Sequence, residues 1–274
     1  KDIQIILYIF YKRLIKKGEV KMEKLIKTVD EEKKILQVTT VDERWYIRQS
    51  TDKVTGLPIY EYVPSVTWIC EYYPKGIAYY KWLANKGWNE SETIKEAAAE
   101  KGSKVHQAVA DLIDNKEIKI DSKYLNPKTG QEEEFTLEEY EAIMSFVRWV
   151  KEIKPKFLQR DFVVWGDGYA GTVDIFCEIK GEKHLIDIKT SQQIWPSHEL
   201  QISAYKHAQD EKVKLGILQL GYRLNKKKFK FTEIDDNYQE FLAAKIIWAK
   251  EQKGIYPQQK DYPLKISLLE ETNG

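Results

Sequence analysis

A mixed α/β fold is predicted for this 274-residue chain by three observations. Helical spacing of apolar residues runs from about residue 91 to 154, short apolar runs separated by turns take over after Pro155, and further helical stretches lie between and after those runs. The order of helix, three strands, helix, two strands and helix describes a mixed sheet flanked by helices.

Taken in order, residues 44–49 (RWYIRQ) and 57–63 (LPIYEYV) flank TDKVTG and read as a hairpin. An aromatic-rich helical stretch then passes Tyr72, Tyr73, Tyr79, Tyr80, Trp82 and Trp88. These rings would suit the stacking of single-stranded bases, although packing of the helix on the core accounts for most of them more cheaply. Asn89-Glu90-Ser91-Glu92 offers helix-start chemistry, and Val105, Val109 and Leu112 fall on one face of the helix that follows. Residues 121–135 read as a polar loop. Thr136 to Lys154 is helical, with Tyr140, Ile143, Phe146, Val147 and Val150 as its inward stripe, and Pro155 ends it. Strands follow at 161–165, 169–179 and 184–190, punctuated by Gly166-Asp167-Gly168 and Lys180-Gly181. Pro196 opens a helix to about residue 210, residues 215–224 and 229–234 form a hairpin, and a last helix covers roughly 236–252.

No internal repeat or low-complexity linker interrupts residues 22–274, which read as a single domain with an N-terminal helical and hairpin elaboration and a core at about 91–252. Residues 1–21 are a separate matter, because the first methionine is Met22. Gly18-Glu19-Val20-Lys21 can be encoded by a purine-rich stretch like a bacterial ribosome-binding site, so residues 1–21 read either as a non-native extension or as an accessory amphipathic helix.

Composition narrows the function classes. A net charge of +1 excludes a bulk polycation, so any nucleic-acid affinity must come from local basic patches. Six of the 44 basic residues are arginine and the rest lysine, which favours diffuse phosphate attraction over bidentate reading of bases. The two cysteines, Cys70 and Cys177, are too few and too far apart for a zinc or iron–sulfur cluster built within the chain. A reducing cytoplasm is the simplest compartment. No run approaches the roughly 20 apolar residues of a membrane span, so no membrane partner is expected.

Chemistry concentrates between residues 169 and 205. Acid-x-lysine triplets are cheap in a chain this charged, and Glu117-Ile118-Lys119, Glu152-Ile153-Lys154, Glu178-Ile179-Lys180 and Glu251-Gln252-Lys253 all qualify. Asp187-Ile188-Lys189 stands apart because it lies in the apolar strand HLIDIKT, where residues 187 and 189 project to one face. A charged pair there is costly without a partner or a metal. The Lys180-Gly181 turn brings Asp174, on the preceding strand, back to about the level of Asp187. Two converging carboxylates repel unless a cation lies between them, and oxygen ligands suit Mg²⁺ or Mn²⁺. Gln201 and Tyr205 lie one helical turn apart on the next helix. Alone they are an ordinary amphipathic boundary, but after an Asp…Asp-x-Lys hairpin they become a candidate phosphate-positioning pair.

The stretch GYAGTVDIFCEIKGEKHLIDIKTSQQIWPSHELQISAYKHA resembles the RecB-type branch of the PD-(D/E)xK nuclease superfamily, with its Gly-x-x-Asp strand, Asp-x-Lys-Thr strand and Gln-x-x-x-Tyr helix. Gly102-Ser103-Lys104-Val105-His106 is similar to that branch's Gly-x-x-x-His helix. Pro64-Ser65-Val66-Thr67 resembles a segment of its phage and mitochondrial genome-maintenance exonucleases. The similarity runs from about residue 57 to 222. It implies a restriction-endonuclease-like core and a metal held by His106, Asp174, Asp187 and the carbonyl of Ile188. It further implies that Lys189 acts on the attacking water and the phosphate, and that Gln201 and Tyr205 lie against the scissile strand. The expected activity is Mg²⁺- or Mn²⁺-dependent hydrolysis of DNA from single-stranded ends, in DNA processing, recombination or repair, with a helicase or recombination protein as partner. A catalytically silent nucleic-acid-binding scaffold and a structure-specific endonuclease are the alternatives. Asp161 departs from the family's usual Glu and reads either as a second acid near the metal or as a strand-edge residue.

Overall fold

The computed structural model describes residues 24–255 apart from 41–42, 54–55, 57, 127–128 and 210–211, so residues 1–21 lie outside the described part. Four antiparallel strands come first: β1 (Lys24–Asp30), β2 (Ile35–Thr40), β3 (Arg44–Thr51) and β4 (Pro58–Pro64), in the spatial order of the chain. The expected 44–63 hairpin is therefore the second half of a larger sheet. A β1–β2 hairpin precedes it, with a turn closed by Asp30 Oδ1 accepting from Lys33 N at 2.8 Å and by Lys34 at a φ of 53°.

Ser65 caps the short helix α1 (Val66–Cys70), its Oγ accepting from Trp68 N. Helices α2 (Ile77–Lys86) and α3 (Trp88–Ile113) follow, joined at Gly87 with a φ of 74°. The core-packing reading of the aromatic run holds only for its beginning. Tyr72 and Tyr73 pack on buried clusters, but α2 buries no residue, and Tyr80 and Trp88 are exposed. The physical reason is competition for the core: its seats beside α1 are filled by Trp45, Trp68 and Trp248.

The polar loop at 121–135 contains a two-stranded ribbon, β5 (Lys123–Leu125) with β6 (Glu132–Glu134), whose acidic sequence hides strand pairing. Helix α4 (Leu137–Ile153) starts at a capping box between Thr136 and Glu139 and stops at Lys154, which adopts a left-handed φ of 54° ahead of Pro155. Its deepest apolar side chains are Ala142, Ile143, Phe146 and Trp149, whereas the expected inward residues Tyr140, Val147 and Val150 are only partly buried. The buried face is thus rotated toward Trp149. Lys104 of α3 and Glu139 of α4 form an ion pair at 3.0 Å with both side chains nearly inaccessible.

The second sheet holds β7 (Lys156–Gly166), β8 (Tyr169–Ile179), β9 (Glu182–Lys189), β10 (Lys214–Leu220) and β11 (Phe229–Ile234) in the order β11-β10-β9-β8-β7. All neighbours are antiparallel except β9 and β10. That parallel pair needs a crossover, which helix α5 (Pro196–His207) supplies. Central placement with both faces covered explains why residues 184–188 of β9 are buried one after another. One face packs Val173, Phe176, Leu185 and Leu215 against α1, α5 and the last helix, α6 (Tyr238–Glu251). The other packs Ile175, Cys177, Ile186 and Leu218 against α3 and α4. The fold is mixed α/β, as expected, and the N-terminal elaboration holds a four-stranded antiparallel sheet, larger than the single expected hairpin, followed by helices. No helix among the described residues is long and apolar enough to cross a membrane.

Candidate active site

All seven residues singled out in the sequence meet at the C-terminal end of β9. The β8–β9 ladder pairs Ile175 with Ile186, which sets Asp174 level with Asp187. There the ladder stops. Instead of a further backbone bond, the Ile188 amide donates to Asp174 Oδ2 at 2.7 Å, so Ile188 joins the cluster through its N–H. The other oxygen, Oδ1, lies 3.2 Å from His106 Nδ1 on α3.

The strand is irregular at this point. Tyr169 and Val173 belong to one buried cluster while Ile175 and Cys177 belong to the opposite one, so the in–out alternation slips by one residue around Asp174. Across the ladder on β7, Asp161 has a left-handed φ of 44°. Such irregularities re-aim side chains, and here the carboxylate of Asp174 turns to meet His106.

The second half of the cluster is a chain of polar contacts. Lys189 Nζ sits 2.7 Å from Asp187 Oδ2 and donates to Gln201 Oε1 at 3.2 Å. Gln201 Nε2 in turn donates to Tyr205 Oη at 2.7 Å. The one-turn spacing of Gln201 and Tyr205 on α5 makes that last bond. The Gly-x-x-Asp spacing also gains a physical reason, because the Tyr205 ring occupies the space a Cβ at Gly171 would need.

Charge is unevenly balanced. Burial pushes the Asp187 carboxyl up to about 6, the Asp174 charge adds to this, and Lys189 counters it. Its Oδ2 is buried, and its compensation comes from the Lys189 ammonium 2.7 Å away. Asp174 is also buried, but His106, Lys189 and the Ile188 amide outweigh that burial and hold it below the usual carboxylate range. Correspondingly, His106 is raised despite its burial, through Asp174. Among the described residues, no three His, Cys, Asp or Glu side chains already converge as a metal cage. The carboxylates are turned to His106 and Lys189 instead.

Both earlier readings of Asp161 retain a basis. Its carboxyl is raised by partial burial and then by Asp174, yet it is 43% exposed and ion-paired to Arg160 at 2.8 Å. Lys227, at the 225–228 turn, is tied to Glu152. Sequence reasoning missed three neighbours. His198 is held far below its usual range, at about 3, by burial and then by Lys189, and its Nδ1 accepts from Trp195 N. Cys70 is a buried thiol raised by that burial and within reach of the Lys189 charge. Tyr46 arrives from the N-terminal sheet, from which no spacing in the sequence points to residue 174. No family model matches this chain, and no curated protein matches it either.

Proposed function

We propose that the protein is a divalent-metal-dependent deoxyribonuclease of the PD-(D/E)xK type, acting on single-stranded DNA ends. The observation that carries this reading is the convergence of Asp174, Asp187 and Lys189, with the Asp187 carboxylate buried against the Lys189 ammonium at 2.7 Å. A five-stranded mixed sheet between helices, with the site where β8 and β9 part, supports a restriction-endonuclease-like core.

The donor set fits a hard cation such as Mg²⁺ or Mn²⁺: Asp174 and Asp187 supply carboxylate oxygens, and His106 an imidazole. The carbonyl of Ile188 is a fourth ligand implied by the family resemblance. A bound cation of this kind polarises a phosphoryl oxygen and lowers the pKa of water. Lys189 brings a positive charge to the reacting phosphate and holds the attacking water through its N–H donors. Gln201 fixes Lys189 from α5, and Tyr205 fixes Gln201. Lysine-rich, arginine-poor composition supports tracking of the backbone rather than reading of a site.

The test is a cleavage series on end-labelled linear single- and double-stranded DNA and on circular single-stranded DNA, with Mg²⁺, Mn²⁺ or chelator. Linear single strands are expected to shorten from an end only with metal. Lys189→Ala is expected to lose about a hundredfold or more of the rate while still binding DNA. Full activity in chelator, or a near-normal Lys189→Ala, overturns the reading. Efficient cutting of the circle replaces exonuclease by endonuclease, and binding without any cleavage leaves a scaffold.

A further inference from the structure

We infer that Tyr46, contributed by the separate N-terminal sheet, is a positioning residue of the active site that holds the unpaired edge of β8 through Thr172. This rests on the nuclease reading above. The β8–β9 ladder ends at Ile175 and Ile186. Among the described residues, Gly171 to Val173 pair with β7 on one side, and they and Asp174 have no strand of their own sheet on the other. That short stretch carries Gly171, against which Tyr205 packs, and Asp174 itself.

The N-terminal sheet takes over the vacant side. Tyr46 Oη lies 3.0 Å from Thr172 Oγ1, and Ser65, just after β4, bridges to Ala170 in parallel. Tyr46 is 2% exposed, and Gln37 Nε2 donates to the same Oη at 2.7 Å, which fixes the phenol from behind. Ile35, Val63, Val163 and Ala170 close around the ring. Proximity to the reacting groups has an electrostatic trace. Burial pushes the Tyr46 phenol up, Thr172 offsets part of that, and the Asp174 charge adds to it. Tyr205, raised first by burial and next by Asp187, also feels Tyr46. A hydroxyl so placed is aligned with the site's own strand, not merely buried in a distant core. A misplacement of about 1 Å can cost about a hundredfold in rate, so loss of this support should slow the reaction without weakening the grip on DNA.

The experiment compares wild type, Tyr46→Phe, Thr172→Val, the double variant and Thr172→Ser, with Asp174→Asn as control. Each is measured for kcat and KM on linear single-stranded DNA, for Mn²⁺ affinity by titration calorimetry, and for Tm. Tyr46→Phe and Thr172→Val are each expected to lower kcat about tenfold with KM unchanged and Mn²⁺ binding weakened. The double variant should be no worse than either, and Thr172→Ser, which keeps the hydroxyl, should recover wild-type values. Wild-type kcat and Mn²⁺ affinity in Tyr46→Phe overturn the inference, as does a double variant whose losses multiply or a loss that only tracks the unfolded fraction. An active wild type with an inactive Asp174→Asn keeps the nuclease reading standing through any of those results. A wild type that neither cleaves nor binds Mn²⁺ removes both.

Discussion

Asp187 and Asp174 are neighbours with opposite effects on stability. The folded-state pKa of Asp187, about 6, lies above the unfolded carboxylate value of about 3.9. Between those two values the folded state binds more protons, so this residue's contribution falls as pH rises from about 4 through 6. At pH 7 the whole penalty is present, on the order of 2–3 kcal/mol at 1.36 kcal/mol per unit. Asp174 runs the other way: its folded pKa is lowered, so its stabilisation is present above the unfolded value and is lost as acid protonates it. In chelator at pH 7, Asp187→Asn should therefore raise Tm by several degrees while Asp174→Asn lowers it, although both abolish cleavage. The Asp187→Asn protein should also lose the decline in stability between pH 4 and 6. A lower Tm for Asp187→Asn at pH 7 would show that its ion pair with Lys189 outweighs the cost of burial.

Strand β8 concentrates three constraints within a few residues, and Gly171 is the least tolerant of them. Any side chain there must displace the Tyr205 ring. Overpacking of this kind costs about 1–3 kcal/mol. Gly171→Ala is expected to lower Tm and, by shifting Tyr205 and with it Gln201, to lower kcat. Unchanged melting and kinetics in that variant would mean the ring has another place to go. The same strand shows what sequence can reveal. Its bounds, 169 and 179, are legible because Gly168 and the Lys180-Gly181 turn bracket an apolar run, and these turn residues do take positive φ. The lateral match of Asp174 with Asp187 follows from turn length. The slip in alternation at Asp174 is not legible, because it depends on Asp161 across the ladder and on where β9 lets go. Strands β1 and β2 were equally hidden, since their turn, Glu31-Glu32-Lys33-Lys34, carries no glycine, proline or asparagine to mark it. Helix α2 looked like a core helix for want of any local signal that its place was already filled. The His106 contact was visible only through resemblance, because a lone histidine on an apolar helix face has no spacing that names its partner 68 positions later.

At the scale of the whole molecule, the N-terminal sheet meets the first and last described helices, α1 and α6, around a shared aromatic nucleus. Trp45 comes from β3, Trp68 from α1 and Trp248 from α6, and their rings lie 5.2–6.0 Å apart, nearly perpendicular to one another. The edge-to-face arrangement adds about 0.5–1.5 kcal/mol per pair beyond the area buried. It also ties residues near both ends of the described chain to the short helix that leads toward the active site. Indole transitions held this close and at these angles couple as excitons, so the trio is an optical gauge of assembly. A couplet in the circular dichroism spectrum is expected for wild type and should weaken in Trp248→Leu, where only the Trp45–Trp68 pair remains, while the other seven tryptophans still absorb. Followed during thermal melting, its loss should coincide with the loss of cleavage. A couplet that fades well before cleavage does would mean that the N-terminal sheet can detach while the catalytic strands stay in place, and the protein would then carry its own colourless indicator of which half lets go first.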